Sequence, residues 1–247
     1  MVAPILTETF LTTIFSQACA AIQEEYSRLG YQLGWRFLAS PRSTLNRNTP
    51  IALITLNPGG SVDRPDHGRE SSEAGSAYVV ETWPQGGRPG RAPLQTQVRR
   101  LFAELADVQG RERSGDDLLH RSLAAYFVPF RLPTFKSLTC SRDALAFASK
   151  LWAGLFRQID PKLIITIDHE TSQRLTQILG EQFGIAPVTR RFPTGWGAYN
   201  AELVAFESGD IRRMILRFPH LSRFGIFGRP ESKLHVERIM EAVAGIR

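Results

Sequence analysis

Four segments of this chain carry residue types suited to chemistry: Asn57-Pro58-Gly59-Gly60, Phe130-Arg131-Leu132-Pro133, Asp168-His169 and Pro219-His220-Leu221-Ser222. Each follows a short apolar run that reads as a buried strand ending in a breaker. A neutral amide such as Asn57 orients a water molecule but is a poor general base. A histidine such as His220 donates a hydrogen bond even when neutral. Asp168-His169 invites an acid–base reading, but Asp168 reads first as a helix N-cap. Asn, Pro and Gly also make ordinary strand-terminating turns. No metal-ligand spacing occurs. The Gly-rich stretch lacks the Gly-Lys-Ser/Thr of a Walker loop. Neither a metal nor an organic cofactor is expected.

The elements that must position these residues follow from periodicity. Helices are expected over 7–29, with Phe10, Ile14, Ala18 and Ile22 on one stripe, and over 94–106, 142–159, 170–180 and about 231–245. Strands are expected over 51–56, 123–130 and 163–167, and a hairpin over 202–218 about Ser208-Gly209-Asp210. This alternation predicts a single α/β domain over 1–247, a three-layer α/β/α sandwich with a mostly parallel central sheet. In such sheets ligands bind at the carboxyl ends of the strands, where all four segments fall. Residues 58–97 hold seven Gly and five Pro. That is too long for an ordinary connection, so it reads as a functional loop or a disordered insertion. Residues 107–117 read as a polar connection. Arg99-Arg100, Arg190-Arg191 and Arg212-Arg213 read as solvated faces.

Composition bounds the function. The 247 residues are 43% hydrophobic and 22% charged, which excludes a wholly disordered chain. The longest apolar runs fall far short of the ~20 residues of a membrane span. No basic segment precedes an apolar core at the N-terminus. A soluble, cytoplasmic protein is expected, with no membrane partner. Thirty Lys and Arg against 24 Asp and Glu leave a net charge of +6. The pI is near 9.7. A basic balance favours an anionic partner, nucleic acid first. Cys19 and Cys140 are the only cysteines. They exclude a disulfide scaffold or a four-cysteine metal site and read as two buried thiols.

Taken together, these segments resemble the uracil-DNA glycosylase superfamily. Thr55-Leu56-Asn57-Pro58-Gly59-Gly60 resembles its first motif, in the Asn-Pro-Gly form of the mismatch-specific and thymine-DNA glycosylase branch. Phe218-Pro219-His220-Leu221-Ser222 followed by Gly225-Ile226-Phe227-Gly228 resembles its last motif. FVPFRLP and PKLIITIDHETSQRL resemble the middle strand and the third strand with its helix. The resemblance spans roughly residues 45–245. Asp168 stands where the family usually has Gly. Phe218 takes the directly aligned place of the motif histidine, with His220 two residues later.

The resemblance implies a monofunctional DNA glycosylase that cleaves the N-glycosidic bond of uracil or a modified pyrimidine. No lysine stands at a clear nucleophile position, so no lyase step is expected. Such cleavage passes through an oxocarbenium-like sugar while the leaving base gains negative charge. Asn57 would position water, and His220 would donate to a base oxygen. Pro58, Gly59, Gly60, Phe130 and Asp168 would line the base site. The base must first leave the duplex stack. Leu221 would wedge into the gap, and Ser222, Arg223, Arg229 and Lys233 would hold phosphates. Branches strict for uracil carry Tyr after Asn-Pro, whereas Gly59 leaves room for a ring substituent. Tyr78, Trp83, Arg88 and Arg91 of the insertion would cover or read the base. The expected partner is single- or double-stranded DNA, bound by a monomer. Two alternatives stand beside this: a non-catalytic nucleic-acid-binding member of the same fold, and a hydrolase or transferase acting on free nucleosides or nucleotides.

Overall fold

The computed structural model describes residues 3–108, 110, 114–133, 141–209 and 211–244, with side chains from Thr13 onward. Cys140 and Asp210 lie outside the described residues, as does the side chain of Phe10. The chain runs α1 (Ala3–Leu29), β1 (Ile51–Thr55), α2 (Ala77–Val80), α3 (Pro93–Val108), α4 (Gly115–Arg121), β2 (Leu123–Tyr126) and α5 (Ser141–Leu155). It continues with β3 (Leu163–Thr166), α6 (His169–Phe183), β4 (Val188–Pro193), β5 (Asn200–Ser208), β6 (Ile211–Arg217) and α7 (Lys233–Ala244).

The six strands form one sheet in the order β2-β1-β3-β6-β5-β4. The β1–β2, β1–β3 and β3–β6 pairs are parallel. The β4–β5 and β5–β6 pairs are antiparallel. This is an α/β fold with a mostly parallel central sheet. The period of two in a strand sends alternate side chains to opposite faces. Ala52, Ile54, Ile164, Phe206 and Ile215 join one core with Ile22 of α1, Trp152 of α5 and Leu175 of α6. Ile51, Leu53, Ile165, Leu203 and Leu216 join a second core with Phe102 of α3, Leu119 of α4 and Ile239 of α7. Helices therefore cover both sheet faces. No described helix is long and apolar enough to cross a membrane.

Three elements depart from expectation. The first is α4, which lies partly in the stretch that reads as a polar connection. It has a capping box, in which the Ser114 side chain accepts from Asp117 N–H while the Asp117 carboxylate accepts from Ser114 N–H. Only Leu118 and Leu119 of α4 are buried, too few for a legible stripe. The second is β4, whose residues are almost all exposed. An edge strand of this kind is specified by its ladder to β5, not by apolar alternation. The third is the Gly/Pro-rich stretch, which is neither free nor structureless. Phe37 and Leu38 N–H donate to Glu70 O at 3.2 and 2.9 Å, and Ala77 N–H donates to Ala39 O at 2.7 Å.

A buried ion pair completes that anchoring. Arg36 is 3% exposed. It pairs with Glu81 through two bonds of 3.0 and 2.7 Å, and Trp83 Nε1 donates to Glu81 at 3.0 Å. Tyr78 is buried with its ring edge-on to Trp83 at 5.0 Å. Tyr78 is thus a packing residue here and not a cover for a ligand. Arg88 and Arg91 remain exposed. Of the arginine pairs, Arg100, Arg190, Arg191 and Arg212 are exposed, as expected, while Arg99 and Arg213 are half-buried in ion pairs. Arg99 forms two bonds to Asp116, at 2.8 and 2.7 Å. Arg191 pairs with Glu202 at 3.0 Å, and Arg213 pairs with Asp160.

Candidate functional site

The parallel strands bring their carboxyl ends to one edge. Thr55 pairs in register with Tyr126, and Thr166 with Arg217. The segments starting at Asn57, Phe127, Ile167 and Phe218 therefore leave the sheet side by side. One strand, β3, separates β1 from β6, so the Asn57 and His220 turns start about 10 Å apart, two strand spacings. The connection from β4 to β5, residues 194–199, lies at the same edge, because Glu202 near the start of β5 faces Arg217 at the end of β6.

Asn57 is half-buried. Its Nδ2 donates to Pro58 O at 3.0 Å. A carbonyl only accepts, so this contact sets the amide orientation and turns Oδ1 the other way. No hydrogen bond to Oδ1 forms among the described residues. Oδ1 is therefore available to accept from a water molecule. The turn itself is clamped. Leu132 N–H donates to Pro58 O at 3.4 Å, Gly59 bridges Leu132, and Arg131 Nη1 donates to Gly59 O at 3.1 Å. Arg131 is held in place by an ion pair to Asp66 at 2.8 Å. Burial pulls the Arg131 guanidinium below its ordinary pKa, against the attraction of Asp66. Pro58 is buried and Gly60 half-buried. Gly59 is exposed, and a Cβ built there would meet nothing within 4 Å.

His220 is exposed, and its Nδ1 lies 2.8 Å from Ser222 Oγ. Partial burial of the ring, then the neighbouring Arg223 charge, lower its pKa from 6.5. Neutral imidazole therefore dominates at pH 7. The turn is closed by Arg223 and Phe224 N–H, which donate to His220 O at 2.9 and 3.2 Å. Behind it, Gln97 of α3 donates Nε2–H to Phe227 O at 3.0 Å and accepts Phe227 N–H at 2.9 Å. Arg100 adds a bond to the same carbonyl at 2.9 Å.

Comparison with known proteins names no family: no protein-family model and no curated protein matches the chain.

Two predicted site residues, Phe130 and Leu221, are placed otherwise than expected, and Asp168 takes the helix N-cap position read for it rather than a place in a base site. Phe130 is 0% exposed. Its ring packs on Tyr31 at 4.9 Å, Phe147 at 5.9 Å and Tyr26 at 6.2 Å, so no face is open to a base. Leu221 is 1% exposed, packed in the core that holds Phe218 and Phe227, and does not project as a wedge. Asp168 caps α6, accepting Thr171 N–H through Oδ1 at 2.7 Å. Its Oδ2 is enclosed without a hydrogen bond, and burial raises its pKa. Asp168 thus serves the helix, not an open site. For Phe130 and Leu221 the expected role came from the family resemblance, but the direction of each side chain is set by packing.

The cations divide. Ser222, Arg223 and Lys233 are exposed. Arg223 has no carboxylate partner among the described residues. Arg229 pairs with Glu231 at 2.9 Å and lies 4.4 Å over the Trp196 ring. Trp196, Tyr199 and Phe224 are residues that strand-end reasoning passed over, and Arg131 lies in a segment it singled out but was given no role. For Trp196 a signal existed: an aromatic residue between Gly195 and Gly197, just before a strand.

Elsewhere, Cys19 is buried, and burial, then Glu70, push its thiol up to about 12. It is an inert packing thiol. A groove of about 410 Å³ between α1 and α5, lined by Ile14, Ala18, Phe147 and Leu151, contains none of the predicted site residues.

Proposed function

We propose that the protein is a DNA glycosylase of the uracil-DNA glycosylase type. It hydrolyses the N-glycosidic bond of uracil or a modified pyrimidine in DNA. One observation carries the reading. The two turns that resemble the family's motifs, at Asn57 and at His220, emerge on one sheet edge with complementary polar capacities. Asn57 Oδ1 accepts from water and so orients its oxygen toward a sugar carbon. The neutral His220 ring donates to an oxygen of the departing base. Water forms the new bond to the sugar as the carbon–nitrogen bond breaks, and the base leaves with the electron pair and takes up a proton. Open space at Gly59 supports acceptance of a substituted pyrimidine. Arg223, exposed and unpaired among the described residues, suits a phosphate.

A second reading, a nucleic-acid-binding protein of the same architecture without base release, is favoured by the burial of Phe130 and Leu221. The deciding experiment is base release from oligonucleotides carrying uracil, thymine mismatches or 5-substituted cytosines, single- and double-stranded. Alkali-labile breakage at one base, absent with Asn57→Ala, is the expected result. Binding with no breakage at any base would replace the first reading with the second. Turnover of free nucleosides without DNA affinity would remove both.

A further inference from the structure

The β4–β5 connection is built to present aromatic rings beside the His220 loop. Thr194 N–H and Thr194 Oγ1 both donate to Tyr199 O, at 3.2 and 2.7 Å. Tyr199 N–H donates to Trp196 O at 3.1 Å, and Trp196 N–H donates to Thr194 Oγ1 at 3.3 Å. The turn also has a rigid back. Gly195 sits at φ +74°, where a Cβ would lie 2.7 Å from Glu231 O and 2.8 Å from Ser232 Cα. Only glycine fits there. The front is open chiefly at Tyr199, which is 49% exposed, with Trp196 and Phe224 half-buried beside it. Its ring meets Phe224 at a centroid distance of 4.2 Å, and Phe224 meets Trp196 edge-on at 6.2 Å.

A preformed aromatic surface of this kind leaves apolar area in water, a standing cost unless a partner covers it. The charges around it select the partner. Arg229 lies over Trp196, and Arg223 precedes Phe224 in the loop. Two carboxylates on adjoining segments, Glu202 and Glu231, are each paired with arginine, Glu231 with Arg229 itself, which leaves Arg223 as the cation without a carboxylate partner among the described residues. Flat rings bordered by cations suit a flat ring on an anionic strand.

We propose that Tyr199, Phe224 and Trp196 form a stacking platform for an unpaired nucleobase of single-stranded DNA, with Arg223 and Arg229 on its phosphates. The platform rests on the nucleic-acid part of the proposed function and concerns a flanking nucleotide, not the base that reacts. Stacking uses the π-face that every base has, so the platform is indifferent to sequence.

The test is fluorescence anisotropy with a labelled oligothymidine of about ten nucleotides, within the site size of such grooves. The variants are Tyr199→Ala, Tyr199→Phe, Trp196→Phe and Arg223→Gln. Tyr199→Ala is expected to weaken binding about tenfold, as loss of one stacked base does. Tyr199→Phe is expected to restore it. Arg223→Gln is expected to flatten the salt dependence by about 0.7 in log–log slope. Binding is expected to quench tryptophan emission, with the quench lost in Trp196→Phe. Equal affinity of Tyr199→Ala and wild type would overturn the platform. So would failure of the wild type to bind, or a Tyr199→Ala defect confined to self-association in sedimentation. Oligothymidine carries no uracil, mismatch or substituted cytosine and the readout is binding alone, so the two proposals fail separately. Binding with this pattern but no base release removes the reaction and keeps the platform. Base release untouched by Tyr199→Ala, with unchanged binding, does the reverse.

Discussion

Gln97 and Phe227 exchange two hydrogen bonds across 130 residues of sequence, the carboxamide of one satisfying both backbone groups of the other. The contact ties α3 to the chain following the His220 turn. It makes that turn an extension of the core and not a free loop.

Removal of this tie is expected to loosen the turn. Gln97→Ala leaves the buried Phe227 N–H without its partner, at a cost of about 1–3 kcal/mol. Arg100 still serves the carbonyl. Gly228→Ala tests the same joint from the other side, since Gly228 holds φ +81° with Arg100 Nη1 2.5 Å from the place of a Cβ. Urea unfolding midpoints measure both. An unchanged midpoint in Gln97→Ala would show that the tie contributes nothing.

The Arg36–Glu81 pair makes an acid-sensitive joint. Burial pushes the Glu81 carboxyl up, but the Arg36 and Trp83 hydrogen bonds outweigh it and hold the carboxyl below 4.5. A folded-state value below the unfolded one stabilises above about 4.5 and loses that stability as pH falls through the lowered value. Glu81→Gln leaves Arg36 buried and unpaired and is expected to destabilise by about 3–5 kcal/mol at pH 7. It is also expected to flatten the acid limb of a stability-versus-pH curve. A variant with an unaltered acid limb would place that dependence elsewhere.

Asp168 is expected to behave as a cap. Asp168→Ala costs about 1 kcal/mol in thermal or urea unfolding. Its raised pKa has the opposite sign to that of Glu81: the folded form holds its proton more tightly, so stability falls as pH rises through that value. Asp168→Asn keeps an oxygen acceptor for Thr171 N–H and removes the buried charge, so it is expected to match or exceed wild type at pH 7. A destabilised Asp168→Asn with an intact Asp168→Ala would reverse the assignment.

His220 is expected to titrate below 6.5 by imidazole carbon–proton NMR. Arg223→Gln is expected to move it upward by removing the adjacent cation. The lowered value means that protonation is resisted in the fold, so stability attributable to this ring is lost as pH falls below 6.5. A wild-type value above 7 would contradict the neutral-donor role at pH 7.

Much of the scaffold is legible from local pattern. Ile51–Thr55 reads as a strand because a short β-branched run meets Asn57-Pro58. The Ser141–Leu155 helix reads from Leu145, Ala148 and Trp152, which recur on one face. Val188–Pro193 does not read as a strand, because its exposed arginines carry no alternation and its partner lies beyond a turn. Phe130 and Leu221 are apolar residues in turns, and their sequence leaves open whether they face solvent or core. Tyr31, Tyr26 and Phe147 settle the matter for Phe130, and none of them is its sequence neighbour.

By itself, then, the sequence determined most of the helices and strands and the turns at Asn57 and His220. These are local properties: backbone preference, periodicity and breakers act within a few residues. Only the tertiary structure decided which groups surround those turns. Arg131 on Gly59, Gln97 on Phe227 and Phe224 on Tyr199 join residues 72, 130 and 25 positions apart. Contacts of that separation arise from packing and from the need to satisfy buried polar groups, neither of which any short stretch of the chain encodes alone.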